Sequence, residues 1–281
     1  MHDVSMHEMS MKVSFSTLAC PDWTMPQIIA IAVSEGYDGI ELRFVQGEDS
    51  LWKLPVFSGK VLASTTRALG DCALTISCLD TSCRFHSPDR AERGRWVAEG
   101  KRMADLAAEL GSPGLRVFGD TIQPGADRAC TQRWIAESIR ELAEFTAARG
   151  VEIWIENHGD FAGTAETAAI LQQAASAKAG VVWDPVNGFV ATQEQPADGA
   201  ARLEAAIRHV HIKDLRRDKD GWKYVLTGEG DFPLLELKAG LQNLRYNRFL
   251  SFEWEKKWHP EIADAEIALP HFARWFRKNY A

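Results

Sequence analysis

The sequence predicts a single (β/α)8 barrel, and three observations carry that prediction. Eight short β-type runs alternate with longer helical stretches along nearly the whole chain. Most of these runs are continuously apolar rather than alternating, as parallel strands covered on both faces are. The acidic and histidine residues that interrupt them gather at the C-terminal ends of the runs. With 281 residues the chain has room for two ordinary domains or one large single-core domain, and no low-complexity linker divides it. A doubly wound sheet would open with a Gly-rich turn, and no G-x-G-x-x-G follows the first run.

The elements read in order as follows. Residues 1–11 are polar and rich in Met and His, a flexible extension ahead of a barrel domain at 12–281. The expected strands are Val13–Leu18, Gly39–Phe44, Ala73–Asp80, Leu115–Gly119, Val151–His158, Val181–Asp184, Ile207–Asp214 and Phe249–Glu255. Between them, Trp96, Gly100, Met103, Ala107 and Leu110 trace one helix face, and Ile135, Ile139, Leu142 and Phe145 trace another. Gly36, Gly70, Gly111 and Gly150 each stand just before the next strand, where helices stop.

Composition narrows the partners. Net charge is −7, from 32 Lys and Arg against 39 Asp and Glu. A protein that grips a phosphate backbone is usually basic, so nucleic acid is not expected. No apolar run approaches the ~18 residues of a membrane span, and none resembles a secretory signal. Five cysteines (Cys20, Cys72, Cys78, Cys83 and Cys130) are odd in number and irregularly spaced, so they read as reduced thiols of a cytoplasmic protein. Ten tryptophans against four tyrosines are unusual.

In a barrel of this kind the chemistry lies at the C-terminal ends of the strands. There stand Glu41 and Arg43, Glu156 and His158, Asp184 and Asn187, the run His209 to Asp214, and Glu253 with Glu255. Such groups are expensive to bury without partners. A divalent cation satisfies several converging carboxylates and an imidazole at once. Glu156, Asp184, His211 and Glu253 supply three oxygens and one nitrogen, a set that suits Mn²⁺, with Zn²⁺ or Co²⁺ possible and Mg²⁺ less natural. The alternative is that Arg43, Lys213 or Arg217 neutralise these groups as salt bridges. Strand parity puts Glu253 and Glu255 on the same side, so it does not choose between them.

The runs V-E-I-W-I-E-N-H (151–158), W-D-P-V-N (183–187), H-V-H-I-K-D (209–214), T-G-E-G-D-F-P (227–233) and F-L-S-F-E-W-E (249–255) resemble the xylose-isomerase-like TIM-barrel superfamily of sugar (phosphate) isomerases and epimerases. The opening S-T-L-A-C-P-D-W-T and G-Y-D-G-I-E-L-R fit it as well, so the resemblance spans Lys12 to the C-terminus. It implies one divalent metal held by Glu156, Asp184, His211 and Glu253, the family's L-S-x-E pattern selecting Glu253. It further implies an isomerase or epimerase in which Glu156 and Glu253 take and return a proton next to a carbonyl, through a metal-stabilised enediolate.

Around that centre, His158, Arg217, Glu41, Arg43, Asn187 and, more weakly, His86 are candidate substrate contacts. Arg217 would neutralise developing charge, and Glu41 with Arg43 would form a buried pair lining the pocket. His209, deeper in its strand, reads as a satisfied core histidine. Asp184-Pro185-Val186-Asn187 departs from the D-x-x-H of ketose 3-epimerases, since an amide is no pH-tuned acid. The three-zinc DNA-repair branch needs histidines that this chain lacks. A dehydratase or eliminating lyase would use the same glutamates, and a non-catalytic carbohydrate-binding barrel or a partner-binding protein would need neither. The acidic Gly228–Asp231 loop repels phosphate, so a small, non-phosphorylated carbohydrate is expected, in a possible homo-oligomer. Trp154 should fill the barrel interior, and Trp183 and Trp254 should face the helices. Trp23, Trp222 and Trp258 are candidate apolar walls for a sugar, while Trp52 lies in a loop farther off.

Overall fold

A computed structural model describes residues 11–280. Eight parallel strands close a barrel: β1 (Lys12–Ser16), β2 (Gly39–Leu42), β3 (Thr75–Arg84), β4 (Gly114–Phe118), β5 (Glu152–Glu156), β6 (Ala179–Trp183), β7 (Ile207–Ile212) and, after a hairpin, β10 (Phe249–Phe252). The hairpin pairs β8 (Asp214–Asp218) with β9 (Gly221–Val225) antiparallel. It is a correction to the expected seventh strand, Ile207–Asp214, because Asp214 begins the hairpin instead. The last strand also ends earlier than expected, at Phe252, so Glu253 and Glu255 lie beyond its pairing with β7.

The helices are α1 (Met25–Glu35), α2 (Gly59–Asp71), α3 (Arg90–Leu110), α4 (Arg128–Thr146), α5 (Thr164–Ala174), α6 (Pro185–Thr192), α7 (Pro196–Leu203), α8 (Leu234–Asn243) and α9 (Ala265–Tyr280). Their ends follow local chemistry. The Asp89 and Asp127 carboxylates accept first-turn amides of α3 and α4, and Gly36 and Gly111 close α1 and α3 in the left-handed conformation. Gly70 does not stop a helix; α2 runs through it to Asp71, and the left-handed residue is Ala73. Of the expected extension, residues 1–10 lie outside the described residues, whereas Met11 is buried against the core.

The principal apolar core is the layer between strands and helices, where Trp183 and Trp254 are buried. Inside the barrel the apolar filling is a small cluster of Cys78, Trp154 and Val182. Trp154 is admitted by missing side chains on its neighbours: a Cβ on Gly114 would stand 2.3 Å from its ring, and one on Gly180 3.2 Å. Above this plug the interior turns polar, with Glu41, Asp80, Arg116, Glu156 and His211 all buried. Among the described residues no helix is long and apolar enough to cross a membrane, and all five cysteines are free.

Candidate metal centre

Glu156 ends β5, Asp184 follows β6, His211 lies in β7 and Glu253 follows β10. Each offers one ligand atom, and these four atoms lie within 4.8 Å of one another. All four residues are buried. The His211 Nδ1 atom faces Glu253 Oε1 at 3.3 Å, Asp184 Oδ2 at 3.8 Å and Glu156 Oε1 at 3.9 Å, and it has no hydrogen-bond partner. A buried, unpartnered imidazole nitrogen ringed by three carboxylates is a donor set that fits a divalent cation. Local structure positions the set. Asp184 also caps α6, its Oδ1 accepting the Asn187 amide at 3.0 Å, which leaves Oδ2 toward the cluster.

Two cations of the chain itself hold the carboxylates. Lys213 Nζ lies 2.7 Å from Asp184 Oδ2, 2.6 Å from Glu253 Oε2 and 2.8 Å from Glu255 Oε1; the contact with Asp184 is an ion pair without a hydrogen bond. Arg116 in β4 spans Asp80 at 3.1 Å and Glu156 at 3.2 Å. The salt-bridge alternative is thus present for Lys213, which neutralises Asp184 and Glu253. Arg43 pairs elsewhere, with Ser82 at 2.8 Å and Asp49 at 3.7 Å.

Charge follows this arrangement. Burial opposes the ionised forms of Glu253 and Lys213. Even so, His211 and Lys213 hold the Glu253 carboxyl well below its usual range, while Asp184, Glu253 and Glu255 hold Lys213 well above its own. Glu156 moves the other way, raised by burial and then by the charge of Glu253, with Arg116 only partly offsetting.

Beneath the cluster, Glu41 bridges both histidines, Oε1 to His211 Nε2 at 3.0 Å and Oε2 to His209 Nε2 at 2.5 Å. Glu41 and Arg43 are both buried but are not a pair, a correction that follows from the carboxylate being fully engaged by imidazoles. His209 is satisfied inside the barrel.

A cavity of about 210 Å³ opens above the cluster, lined among others by Arg43, Arg84, Arg116, Glu156, His158, Glu253 and Trp258. His158 stacks obliquely on Phe118 and lies 3.3 Å from Asp120. Asn187 reaches Glu156 Oε1 at 3.3 Å. The remaining expected contacts do not line this cavity. His86 is buried behind Asp120, 3.7 Å away. Arg217 is exposed on the hairpin, over the Trp222 ring, which packs edge-on against Phe189. Trp23 borders a separate depression with Cys20 and Lys257, and Trp52 donates to Glu99.

Sequence reasoning missed Arg116, Asp80, Arg84 and Asp120. Arg116 carried a signal: an arginine inside the apolar run L-R-V-F must find a buried partner. Asp120 carried only its place after β4. The backbone holds it with φ +66° against Gly159, where a Cβ would stand 2.4 Å from the Asp120 carbonyl oxygen, so that glycine permits the loop contact that sets Asp120 beside His158.

An eight-stranded parallel barrel with titratable side chains converging at its C-terminal mouth defines a large class of α/β proteins. A family model described as xylose isomerase-like TIM barrel matches residues 29–278, and the chain belongs to that family. Among solved structures the chain is similar to L-ribulose 3-epimerase (17% identity, covering 95% of this chain and 93% of that chain, TM-score 0.78). It is similar as well to the probable 3-DHS dehydratase AsbF of Bacillus anthracis (17%, 96% and 100%, 0.78) and to the IOLI protein with a binding zinc atom (16%, 96% and 98%, 0.80). At these identities the likeness is one of fold. No curated protein matches the chain significantly in sequence.

Proposed function

We propose that the protein is a divalent-metal-dependent isomerase or epimerase acting on a non-phosphorylated sugar or sugar derivative, with Glu156, Asp184, His211 and Glu253 as the metal ligands. The observation that carries this reading is the unpartnered, buried His211 Nδ1 among three carboxylates, the four residues belonging to four successive barrel strands or their ends. The oxygen-rich set favours Mn²⁺ over Zn²⁺, Co²⁺ and Mg²⁺. When bound, the ion supplies Lewis-acid stabilisation of negative charge on substrate oxygens. The chain's own residues do the proton work. Glu156 and Glu253 approach the cavity from β5 and from the end of β10, so one carboxylate takes a proton next to the carbonyl and the other returns it. Asn187, hydrogen-bonded to Glu156, fixes that carboxyl and offers an amide to a substrate hydroxyl. Trp258 presents an apolar wall.

A similar absence of phosphate is supported by the loop after the hairpin. Barrels of this architecture often hold phosphate on the amides there, but here the amides of Leu215, Gly228, Gly230 and Phe232 all donate to the Asp214 carboxylate. β-Elimination is the second reading. It begins with the same proton removal, and Asn187, where ketose 3-epimerases carry histidine, favours it over ketose 3-epimerisation. A relative in fold is a probable dehydratase.

The test is elemental analysis of the purified protein, followed by deuterium exchange from D₂O into a panel of ketoses and 3-oxo sugars. Stoichiometric metal with exchange at one carbon is the expected result. Glu253→Gln should reduce the exchange rate by about 10²-fold or more. Exchange untouched by Glu253→Gln would remove the base, and no exchange with any carbonyl sugar would leave a carbohydrate-binding barrel instead.

A further inference from the structure

The cavity above the metal cluster is walled by three arginines, and the mechanism described above uses none of them on the substrate. Arg43 follows β2, Arg84 ends β3 and Arg116 lies in β4, so they occupy adjacent strands on the side of the barrel opposite Asp184 and His211. A guanidinium carries five N–H donors in a planar fork, more than one carboxylate can accept. Each of these three has a protein oxygen near one edge and a buried nitrogen without a hydrogen-bond partner on another, the oxygens near Arg116 being ion-pair contacts only. Arg43 donates from Nη2 to Ser82, while Nη1 is unpartnered, Asp49 being 3.7 Å away. Arg84 donates from Nη1 to Asp120 at 3.1 Å, while Nε is unpartnered. Arg116 spans Asp80 and Glu156 with its two terminal nitrogens, and its Nε is unpartnered.

Arg43 is 6% exposed and Arg116 2%. Buried donors left without acceptors are costly, and the two buried cations also repel each other. Burial, followed by the charge of Arg116, brings the Arg43 guanidinium down to about 10. An anion seated among the three would offset that repulsion. A planar carboxylate matches the guanidinium fork in two parallel hydrogen bonds. Phosphate is the weaker candidate, because the cavity is small, about 210 Å³, and the loop amides that would bind it already serve Asp214.

We propose that Arg43 and Arg84, backed by Arg116, form a carboxylate-recognition wall, so that the substrate is an acidic sugar carrying its carboxylate on the far side of the cavity from the metal ligands. This rests on the reading of the cavity as the reaction site. It makes the acid group a specificity determinant, with the carbonyl toward Glu156 and Glu253 and the carboxylate toward β2 and β3.

Isothermal titration calorimetry of metal-loaded protein tests it with matched pairs, D-glucuronate against D-glucose and D-galacturonate against D-galactose, with glucose 6-phosphate as the phosphate arm. At least one uronate should bind about tenfold or more tightly than its neutral sugar, and Arg43→Gln or Arg84→Gln should bring that ratio toward one. Arg84 is 43% exposed, so Arg84→Gln reads out the wall even where Arg43→Gln disturbs folding. Equal binding within every pair, no measurable uronate binding, tightest binding of glucose 6-phosphate, or a ratio that survives both substitutions overturns the proposal. Uronate selectivity without deuterium exchange into any bound sugar would leave the wall standing and overturn the proton-transfer reading. Exchange into neutral and acidic sugars at equal rates and affinities would do the reverse.

Discussion

Glu41 grips His211 from below: its Oε1 lies 3.0 Å from the imidazole Nε2, which turns Nδ1 upward into the ring of three carboxylates. Such carboxylate–imidazole pairs set the tautomer and raise the basicity of a metal-binding histidine. Burial alone would raise the Glu41 carboxyl, but His211 and then His209 hold it well below its usual range, so it is an anion in the barrel. Glu41→Gln keeps the volume and removes the charge. It should lower metal affinity about 10- to 100-fold in a chelator competition assay. Unchanged affinity would show that His211 needs no orienting partner.

Lys213 gives a prediction of opposite character, because it stands in for part of the cation's charge. It contacts three carboxylates and is 2% exposed. Lys213→Met leaves those carboxylates facing one another and should cost metal-free protein about 3–5 kcal/mol. Added Mn²⁺ should raise the melting temperature more in the variant than in the wild type. Calorimetry with and without metal checks both; equal melting of the two metal-free proteins would refute the role.

The His158–Asp120 pair predicts a pH window. Burial pulls His158 down, but the Asp120 carboxylate 3.3 Å from its Nδ1 and the charge of Glu156 raise it above 6.5. Asp120 is lowered below 3.8, chiefly by the His158 imidazole beside it. Stability from the histidine is complete below its unfolded value and disappears as pH rises through the folded value. That from the aspartate is complete above 3.8 and disappears as pH falls through its lowered folded value. The melting-temperature gap between wild type and Asp120→Asn should therefore be widest in mildly acidic solution, between 3.8 and 6.5, and narrow as pH rises through the raised His158 value. In NMR titrations the His158 midpoint should drop in Asp120→Asn; a midpoint that stays put would break the link.

Packing at the floor of the site is tested by Gly114→Ala. The added Cβ would stand 2.3 Å from the Trp154 ring, between a barrel strand and a side chain that is 1% exposed. Neither can yield easily, so the variant should lose about 1–3 kcal/mol in denaturant unfolding. Wild-type stability would mean that the Trp154 ring moves aside.

The sequence by itself determined the architecture, because parallel strands buried on both faces must be continuously apolar, and helices packed on them must carry one apolar stripe. It also marked Glu156, Asp184, His211 and the pair Glu253 and Glu255 as residues that converge, since polar groups punctuating apolar strands at one end can only face a common mouth, and the family's L-S-x-E pattern chose Glu253 from the pair. Trp154 inside the barrel, and Trp183 and Trp254 outside it, were legible by the same parity. Partnership was not legible, because it depends on which side chains reach across the barrel. Only the tertiary structure paired Glu41 with the histidines rather than with Arg43, and Lys213 with Asp184 and Glu253. It also folded the charged segment after β7 into a hairpin that carries Arg217 and Trp222 away from the cavity wall. The three-arginine wall belongs to the same class of fact. Arg43, Arg84 and Arg116 lie far apart along the chain, and barrel closure sets them on neighbouring strands, where all three line one cavity.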